Sequence, residues 1–154
     1  MLQLSSSARS WFKKIEGLDP FNNSPLMDIF YICLLIGIYS KRTPEEMMDA
    51  QSPFLSKGLP SAYKENSNLI LSLFLNAELI RFLIDRNDKE AVKNHIAMYL
   101  DSHSLYNLSE IGLKHFNNYA YTGFLVIKED IGEEPNEINA FLNDYNMILA
   151  KYCK

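Results

Sequence analysis

Histidine is the side chain best suited to acid–base catalysis or metal binding near neutral pH, and this chain has three. His95, His103 and His115 form no i, i+4 pair, and none of them belongs to a HExxH sequence. His95 and His115 lie beside apolar helical faces, while His103 lies at a predicted helix end, where a cation complements the helix dipole. We therefore predict structural or surface roles for all three histidines.

Paired acidic residues are the second group that could do chemistry. Glu45–Glu46 fits the first turn of a predicted helix, and Glu129–Asp130 and Glu133–Glu134 flank a turn, which is typical of a solvated acidic corner. The chain has none of the sequences GxxxxGK[ST], GxGxxG or GxSxG, so a phosphate loop and a nucleophile elbow are absent. We predict that the protein is not an enzyme and has no catalytic residue or cofactor; only a lone Tyr or Ser nucleophile stays open.

The two cysteines complete the reactive side chains. Neither Cys33 nor Cys153 has a second Cys or a His at metal-ligand spacing, so we predict no disulfide framework and no metal site, and expect a cytoplasmic protein. The 154 residues are 47% hydrophobic with a net charge of −4, which is ordinary for a globular domain. Scattered Lys and Arg residues argue against a surface wholly devoted to nucleic acid and leave a local basic patch open.

Five basic residues are the candidates for such a patch. Lys41 and Arg42 follow a long apolar helix, and Arg9, Lys13 and Lys14 form the basic side of an N-terminal helix. One interpretation is that Lys41 and Arg42 complement the negative end of the preceding helix dipole. The other is a contact with a phosphate or an acidic partner, which the N-terminal cations extend if their helix packs nearby. So few cations predict weak, salt-sensitive and sequence-independent DNA binding.

Apolar residues in a loop are the second candidate for a binding surface. Phe54, Leu55 and Leu59 fall in a segment over 53–61 that contains two Pro and one Gly. We predict a loop that these three side chains hold over the core. The alternative is that they cluster on the surface and form a protein interface.

The elements that position these residues follow a helical period. The central helix begins at Ser24-Pro25, runs apolar from Ile29 to Ile36 and ends on Ser40. Because it is apolar on every side, it must be enclosed by its own protein, and the longer, mainly apolar run of about 14 residues from Leu26 to Tyr39 is too short to span a bilayer. Further helices are predicted over 6–16, 43–51, 69–84, 89–101, 111–128 and 136–151.

This pattern predicts an all-α fold, namely a compact single-domain bundle of six to seven helices around the central apolar helix. The predicted domain covers 1–154. Its first part, 1–23, is an N-terminal helix and loop, and the remainder, 24–154, is the core.

Two local signals refine the helices. Thr43 and Glu46 match a capping box for the helix over 43–51. Gly112 and Gly123 each lower helix propensity by up to about 1 kcal/mol, so we expect them where helices approach each other closely.

Two segments of the chain resemble a known family. The first, FNNSPLMDIFYICLLIGIYSKRTP over 21–44, combines a Pro-containing entry, an apolar helix, a Gly near its end and a basic pair. The second, HFNNYAYTGFLVIKE over 115–129, places an aromatic-Asn-Asn-Tyr-Ala sequence and a Gly on one helix. Together they resemble the small helical accessory proteins encoded beside bacterial DNA phosphorothioation and related phage-defence genes. The chain departs from that family at 31–35, where Tyr-Ile-Cys-Leu-Leu replaces an Ala-rich helix.

The resemblance implies a setting and leaves the mechanism open, because it carries no catalytic motif. It implies a non-enzymatic accessory subunit of a prokaryotic antiphage defence complex that binds a larger ATPase or nuclease subunit, with DNA as an optional second partner. The alternatives are a free-standing nucleic-acid-binding regulator and a small phage-encoded inhibitor protein. We expect neither a membrane partner nor a small-molecule substrate.

Overall fold

The computed structural model describes residues 1–49, 51–55 and 58–153, and this part of the chain forms seven helices and two short strands. In chain order they are β1 (Leu2–Ser5), α1 (Ser6–Trp11), α2 (Pro25–Tyr39), β2 (Gln51–Phe54), α3 (Ser61–Lys64), α4 (Ser67–Arg81), α5 (Lys89–Ala97), α6 (Glu110–Ile131) and α7 (Ile138–Tyr152). The predicted all-α fold is confirmed, because the sheet formed by β1 and β2 has only four residues in each strand.

The chain divides into two compact units. We call 2–54 with 117–154 the frame unit, and 55–116 with Met1 the insert unit. Helix α6 begins in the insert unit and continues in the frame unit. The N-terminal helix and loop over 1–23 lie almost entirely in the frame unit, together with α2. The prediction of one domain over 1–154 stays a prediction.

Helix α2 is the central apolar helix of the frame unit. Pro25 occupies its first turn, where a missing N–H is harmless, and eight of its 15 residues are buried. Gly37 and Gly123 let α2 and α6 pack backbone to backbone. A Cβ atom would lie 1.9 Å from the Tyr119 carbonyl oxygen at Gly37, and 1.7 Å from the Cys33 carbonyl oxygen at Gly123. The close approach predicted at Gly123 is therefore confirmed.

Aromatic rings fill the core of the frame unit. The Phe12 ring centroid lies 4.8 Å from that of Trp11, 6.1 Å from that of Phe124 and 5.7 Å from that of Phe141. The hydroxyl of Tyr145 donates to the Ile32 carbonyl oxygen at 2.9 Å, which joins α7 to α2. Edge-to-face rings of this kind add about 1 kcal/mol per pair beyond the area they bury.

The helix predicted over 43–51 is wrong. Residues 41–49 form no regular structure, and Ala50 lies outside the described residues. The backbone N–H of Glu45 donates to the buried Thr122 hydroxyl at 2.7 Å, and Met47 is buried. Because a short helix gains little by itself, these tertiary contacts outweigh the Thr43 capping box.

The end of this segment also stabilises the chain's first helix. The carboxylate of Asp49 accepts the Ser7 N–H at 2.9 Å and the hydroxyls of Ser7 and Ser6 at 2.5 Å and 3.2 Å. Burial acts to raise the pKa of Asp49, but these hydrogen bonds outweigh burial and hold the pKa below its usual value.

The sheet was absent from the sequence prediction. Strands β1 and β2 pair antiparallel, with Leu2 opposite Phe54 and Ser5 opposite Gln51. Both strands are short, and Pro53 within β2 argues against a strand in the sequence pattern. Pro53 is tolerated because a two-stranded sheet has edge strands only.

Helix ends differ from their predicted positions by a few residues. Helix α1 ends at Trp11 instead of Glu16, and the Ser5 hydroxyl accepts the Ala8 N–H at 3.0 Å. Asp88 caps α5, with Oδ1 accepting the Ala91 N–H at 3.0 Å. At the start of α6, the Ser109 hydroxyl accepts the Gly112 N–H at 3.0 Å.

The insert unit has its own aromatic core. The ring centroid of Phe74 on α4 lies 5.3 Å from that of Phe116 on α6 and 5.7 Å from that of Tyr99, which follows α5. A Cβ atom at Gly112 would lie 2.3 Å from the Tyr99 carbonyl oxygen, so the close approach predicted at Gly112 is confirmed.

Candidate functional site

The predicted basic pair Lys41–Arg42 lies where α2 ends. Both residues are exposed, and Lys41 adopts a left-handed backbone with φ of 57°. The Arg42 guanidinium makes two hydrogen bonds to the Glu129 carboxylate, at 2.6 Å and 3.3 Å. A hydrogen bond from Arg42 holds the pKa of Glu129 below its usual value, and the same bond raises the pKa of Arg42. The arginine charge is therefore balanced within the chain.

The N-terminal cations Arg9, Lys13 and Lys14 lie in and just after α1, in the same unit as Lys41. The Lys13 ammonium forms an exposed ion pair with Glu16 at 3.2 Å. Phosphate binding by these residues therefore stays a prediction, and both Arg42 and Lys13 already face carboxylates.

The predicted interface residues Phe54, Leu55 and Leu59 are half-buried. The Phe54 ring packs against Phe30 of α2, with centroids 5.7 Å apart. The Leu55 carbonyl oxygen accepts a hydrogen bond from the Tyr106 hydroxyl. Ser56 and Lys57, in the middle of this predicted loop, lie outside the described residues. Both interpretations of these three residues, a loop held over the core and a protein interface, therefore stay predictions.

Exposed large apolar side chains concentrate in the insert unit, away from the predicted candidates. The frame unit exposes Leu18, Met48 and Met147. The insert unit, although shorter, exposes more of them: Met1, Leu69, Ile80, Phe82, Leu83, Met98, Leu100, Leu105 and Ile111. Where exposed apolar side chains form a contiguous surface, that surface marks a site of protein association.

We give the name α4-end patch to four of these exposed side chains, which follow one another along the ends of α4 and α5: Ile80, Phe82, Leu83 and Met98. The first three occupy the last turn of α4 and the residues just beyond it. The Phe82 ring lies 4.9 Å from the His95 ring of α5, and Met98 follows His95 by one helical turn. The patch therefore spans the end of α4 and the end of α5.

Leu83 is the most unusual residue of the patch. Its N–H donates to the Ile80 carbonyl oxygen at 3.1 Å, and the Ile84 N–H donates to the Leu79 carbonyl oxygen at 3.0 Å, which is the Schellman pattern. Leu83 occupies the left-handed position of this motif, with φ of 55°, where glycine is usual. It is also 90% exposed. Leucine here costs backbone energy and leaves apolar surface in water, so its presence needs another explanation.

A buried polar network lies behind the patch. Glu78 of α4 is fully buried, and its carboxylate accepts the Arg81 guanidinium at 3.1 Å and contacts His115 Nδ1 of α6 at 2.9 Å. The Tyr99 hydroxyl lies 3.2 Å from His95 Nε2. Burial first, and then a hydrogen bond with Glu78, raise the pKa of Tyr99. A buried carboxylate needs such partners, because leaving it unpaired costs several kcal/mol.

Two side chains of the network contact Phe82 of the patch. His95 contacts the Phe82 ring on one side and lies 3.2 Å from the Tyr99 hydroxyl on the other. The Arg81 guanidinium, paired with Glu78, also lies 4.7 Å from the centre of the Phe82 ring. Contacts with His95 and Arg81 therefore restrict the exposed Phe82 ring, which preorganises this part of the patch.

A different kind of surface lies along α7 in the frame unit. Two concavities of about 460 and 330 Å³ share Ile131 and Asp144. Their other acidic side chains are Asp130, Glu133, Glu134 and Glu137. Glu137 caps α7 and Asp130 pairs with Lys151. Acidic side chains therefore outnumber the lysine, Lys151, that lines the same surface.

Within residues 1–49, 51–55 and 58–153, no group of three His, Cys, Asp or Glu side chains is placed to hold a metal ion. The described helices are each too short or too polar to cross a bilayer.

The sequence contained a partial signal for this site. Glu78 interrupts an otherwise apolar face of α4, and the sequence Arg-Phe-Leu-Ile-Asp over 81–85 places apolar residues at a helix end without a glycine. The histidines were expected to be structural or surface residues, and His115 and His95 indeed contact buried side chains. The sequence does not show that His115 contacts Glu78 and that His95 contacts Tyr99, because these residues come from different elements of the fold.

Comparisons with known proteins add no relative: no protein-family model matches the chain, and no curated protein or solved structure matches it either. The resemblance to phage-defence accessory proteins therefore stays a prediction.

Proposed function

We propose that this protein is a non-enzymatic, cytoplasmic binding subunit that associates with a larger protein through the α4-end patch. The observation that carries the proposal is Leu83, an apolar side chain that is almost fully exposed on a left-handed residue. Burying one leucine or phenylalanine side chain gains about 2 kcal/mol, and a preorganised patch loses little entropy on binding. Association with a partner buries the apolar surface that the isolated chain exposes to water.

The setting that we propose is the antiphage complex implied by the resemblance, with an ATPase or nuclease subunit as the larger partner. The competing proposal is a nucleic-acid-binding regulator that uses Lys41 and Arg42. The ion pair between Arg42 and Glu129 weighs against it, because a phosphate would have to displace a bidentate carboxylate.

The experiment is size-exclusion co-elution of the chain with the products of adjacent genes. The double variant Phe82→Ser with Leu83→Ser should weaken association by about several hundredfold, since central apolar residues contribute about 2 kcal/mol each. The matched control, Leu18→Ser with Met147→Ser, removes two exposed apolar side chains from the frame unit and should leave association unchanged.

Two results would contradict the proposal. One is a lone monomer in every combination of gene products. The other is an equal loss of association in both double variants, which would mean that the α4-end patch has no special role. Loss of DNA retention in Lys41→Glu with Arg42→Glu, without any protein association, would favour the competing proposal.

A further inference from the structure

The imidazole ring of His115 has one nitrogen held by a carboxylate. Nδ1 lies 2.9 Å from Oε2 of Glu78, and the other oxygen of that carboxylate accepts the Arg81 guanidinium at 3.1 Å. An ionised carboxylate can only accept hydrogen bonds, so Nδ1 carries the proton of the neutral ring and Nε2 holds a lone pair. Within the part of the chain that the structure describes, Nε2 has no hydrogen-bond partner.

His115 is also placed so that this lone pair reaches water while the carboxylate does not. The His115 side chain is 22% exposed and the Glu78 side chain is fully buried. Because Nδ1 faces Glu78, the exposed edge of the ring is the opposite one, which includes Nε2. A buried carboxylate that holds Nδ1–H and leaves Nε2 accessible is the arrangement that makes a histidine a base or a nucleophile.

The other two histidines lack this arrangement. Nε2 of His95 lies 3.2 Å from the Tyr99 hydroxyl, which is neutral, and not beside a carboxylate. His103 is exposed, and within the described residues no carboxylate contacts its ring. The chain therefore contains one histidine whose reactivity is raised by its surroundings and one exposed histidine for comparison.

We propose that His115 is a modification site, at which Nε2 accepts a phosphoryl group from an acyl phosphate. The Nε2 lone pair attacks phosphorus, the bond between phosphorus and the acyl oxygen breaks, and the donor leaves as a carboxylate. The ring then carries a proton on Nδ1 and phosphorus on Nε2, and its positive charge faces Glu78. Arg81 balances the charge of Glu78 before the reaction, so the pair does not repel an anionic donor.

A phosphoryl group suits this position better than an acyl group. Histidine forms covalent adducts with both. Because the exposed edge of His115 contacts water, an acyl adduct hydrolyses rapidly, whereas a phosphoryl adduct persists. This chemistry requires no cavity for a large substrate, and it does not depend on the α4-end patch.

The test incubates the full chain with acetyl phosphate at about pH 8, where histidine is mostly neutral. Mass spectrometry locates the phosphate, and ³¹P NMR identifies the bond between nitrogen and phosphorus. His115 should react about tenfold faster than His103, although His103 is more exposed, because a carboxylate that orients a histidine raises its basicity. His115→Gln should abolish the fast phase, and the matched variant His103→Gln should leave it unchanged.

A second measurement uses the unaltered chain and so does not depend on how a variant folds. ¹⁵N NMR of the imidazole nitrogens should place the proton of neutral His115 on Nδ1. A proton on Nε2, reaction of His103 at an equal or higher rate, or no phosphate on any histidine would each overturn the inference. The proposed function is tested separately by co-elution, because His115 is not part of the α4-end patch.

Discussion

In the frame unit, the rings of Trp11, Phe12 and Phe124 pack against one another, and α2 and α6 touch backbone to backbone at two glycines. In the insert unit, by contrast, the carboxylate of Glu78 is fully buried, and apolar side chains such as Leu83 face water. Stability in the first unit comes from packing that leaves little apolar surface outside. The insert unit exposes more large apolar side chains, and its buried Glu78 carboxylate pairs with Arg81 and His115.

The largest expected effect tests the close packing in the frame unit. Gly123→Ala should lower the free energy of unfolding by about 3 kcal/mol or more, because the new Cβ atom meets the Cys33 carbonyl oxygen at 1.7 Å and backbone has to move. Urea denaturation measures the change. Asn143→Ala, at an exposed position of α7, is the control and should shift stability by less than about 0.5 kcal/mol. A Gly123→Ala protein of unchanged stability would show that α2 and α6 do not meet here.

The next effect tests the buried charge in the insert unit. Glu78→Leu should destabilise the fold by about 2–3 kcal/mol, because it removes the partner of Arg81 and His115, both of which are only partly exposed. Glu65→Leu, which removes an exposed carboxylate of the same unit, should have little effect. Both are compared by urea denaturation. A more stable Glu78→Leu protein would mean that the network does not support the insert unit.

A smaller effect separates the two accounts of residues 41–49. Thr122→Val keeps the shape of the side chain but removes the acceptor for the Glu45 N–H, and should cost about 1–2 kcal/mol. Thr43→Ala should change stability by less than about 0.5 kcal/mol, because Thr43 is exposed and caps no helix. Thermal unfolding of both variants decides the matter. A larger loss of stability in Thr43→Ala than in Thr122→Val would favour the capping-box helix.

These cases show what sequence periodicity could predict. The apolar pattern of α2 and the caps at Asp88 and Ser109 are local signals, so they appear in the sequence and in the structure alike. Gly37 and Gly123, which contact each other across α2 and α6, stand out in the sequence as glycines within predicted helical segments. Close packing leaves a local trace, because only glycine allows it.

The candidate site left a weaker trace. The residue type of Glu78 does not show whether its carboxylate is solvated or buried. Only the positions of His115 and Tyr99 decide between the two. The helix predicted over 43–51 is wrong because the Glu45 N–H donates to Thr122, a residue that is distant in sequence. Contacts between distant residues therefore account for both the missed site and the wrong helix.

The most direct test of the central claim combines stability and binding in a pair of glycine variants. Leu83 and Lys41 both have left-handed backbones at helix ends, so Leu83→Gly and Lys41→Gly should each raise the free energy of unfolding by about 0.5–1 kcal/mol. Only Leu83→Gly should weaken co-elution with the larger partner, by about tenfold or more. A Leu83→Gly protein that is more stable and binds as well as the unaltered chain would contradict the account.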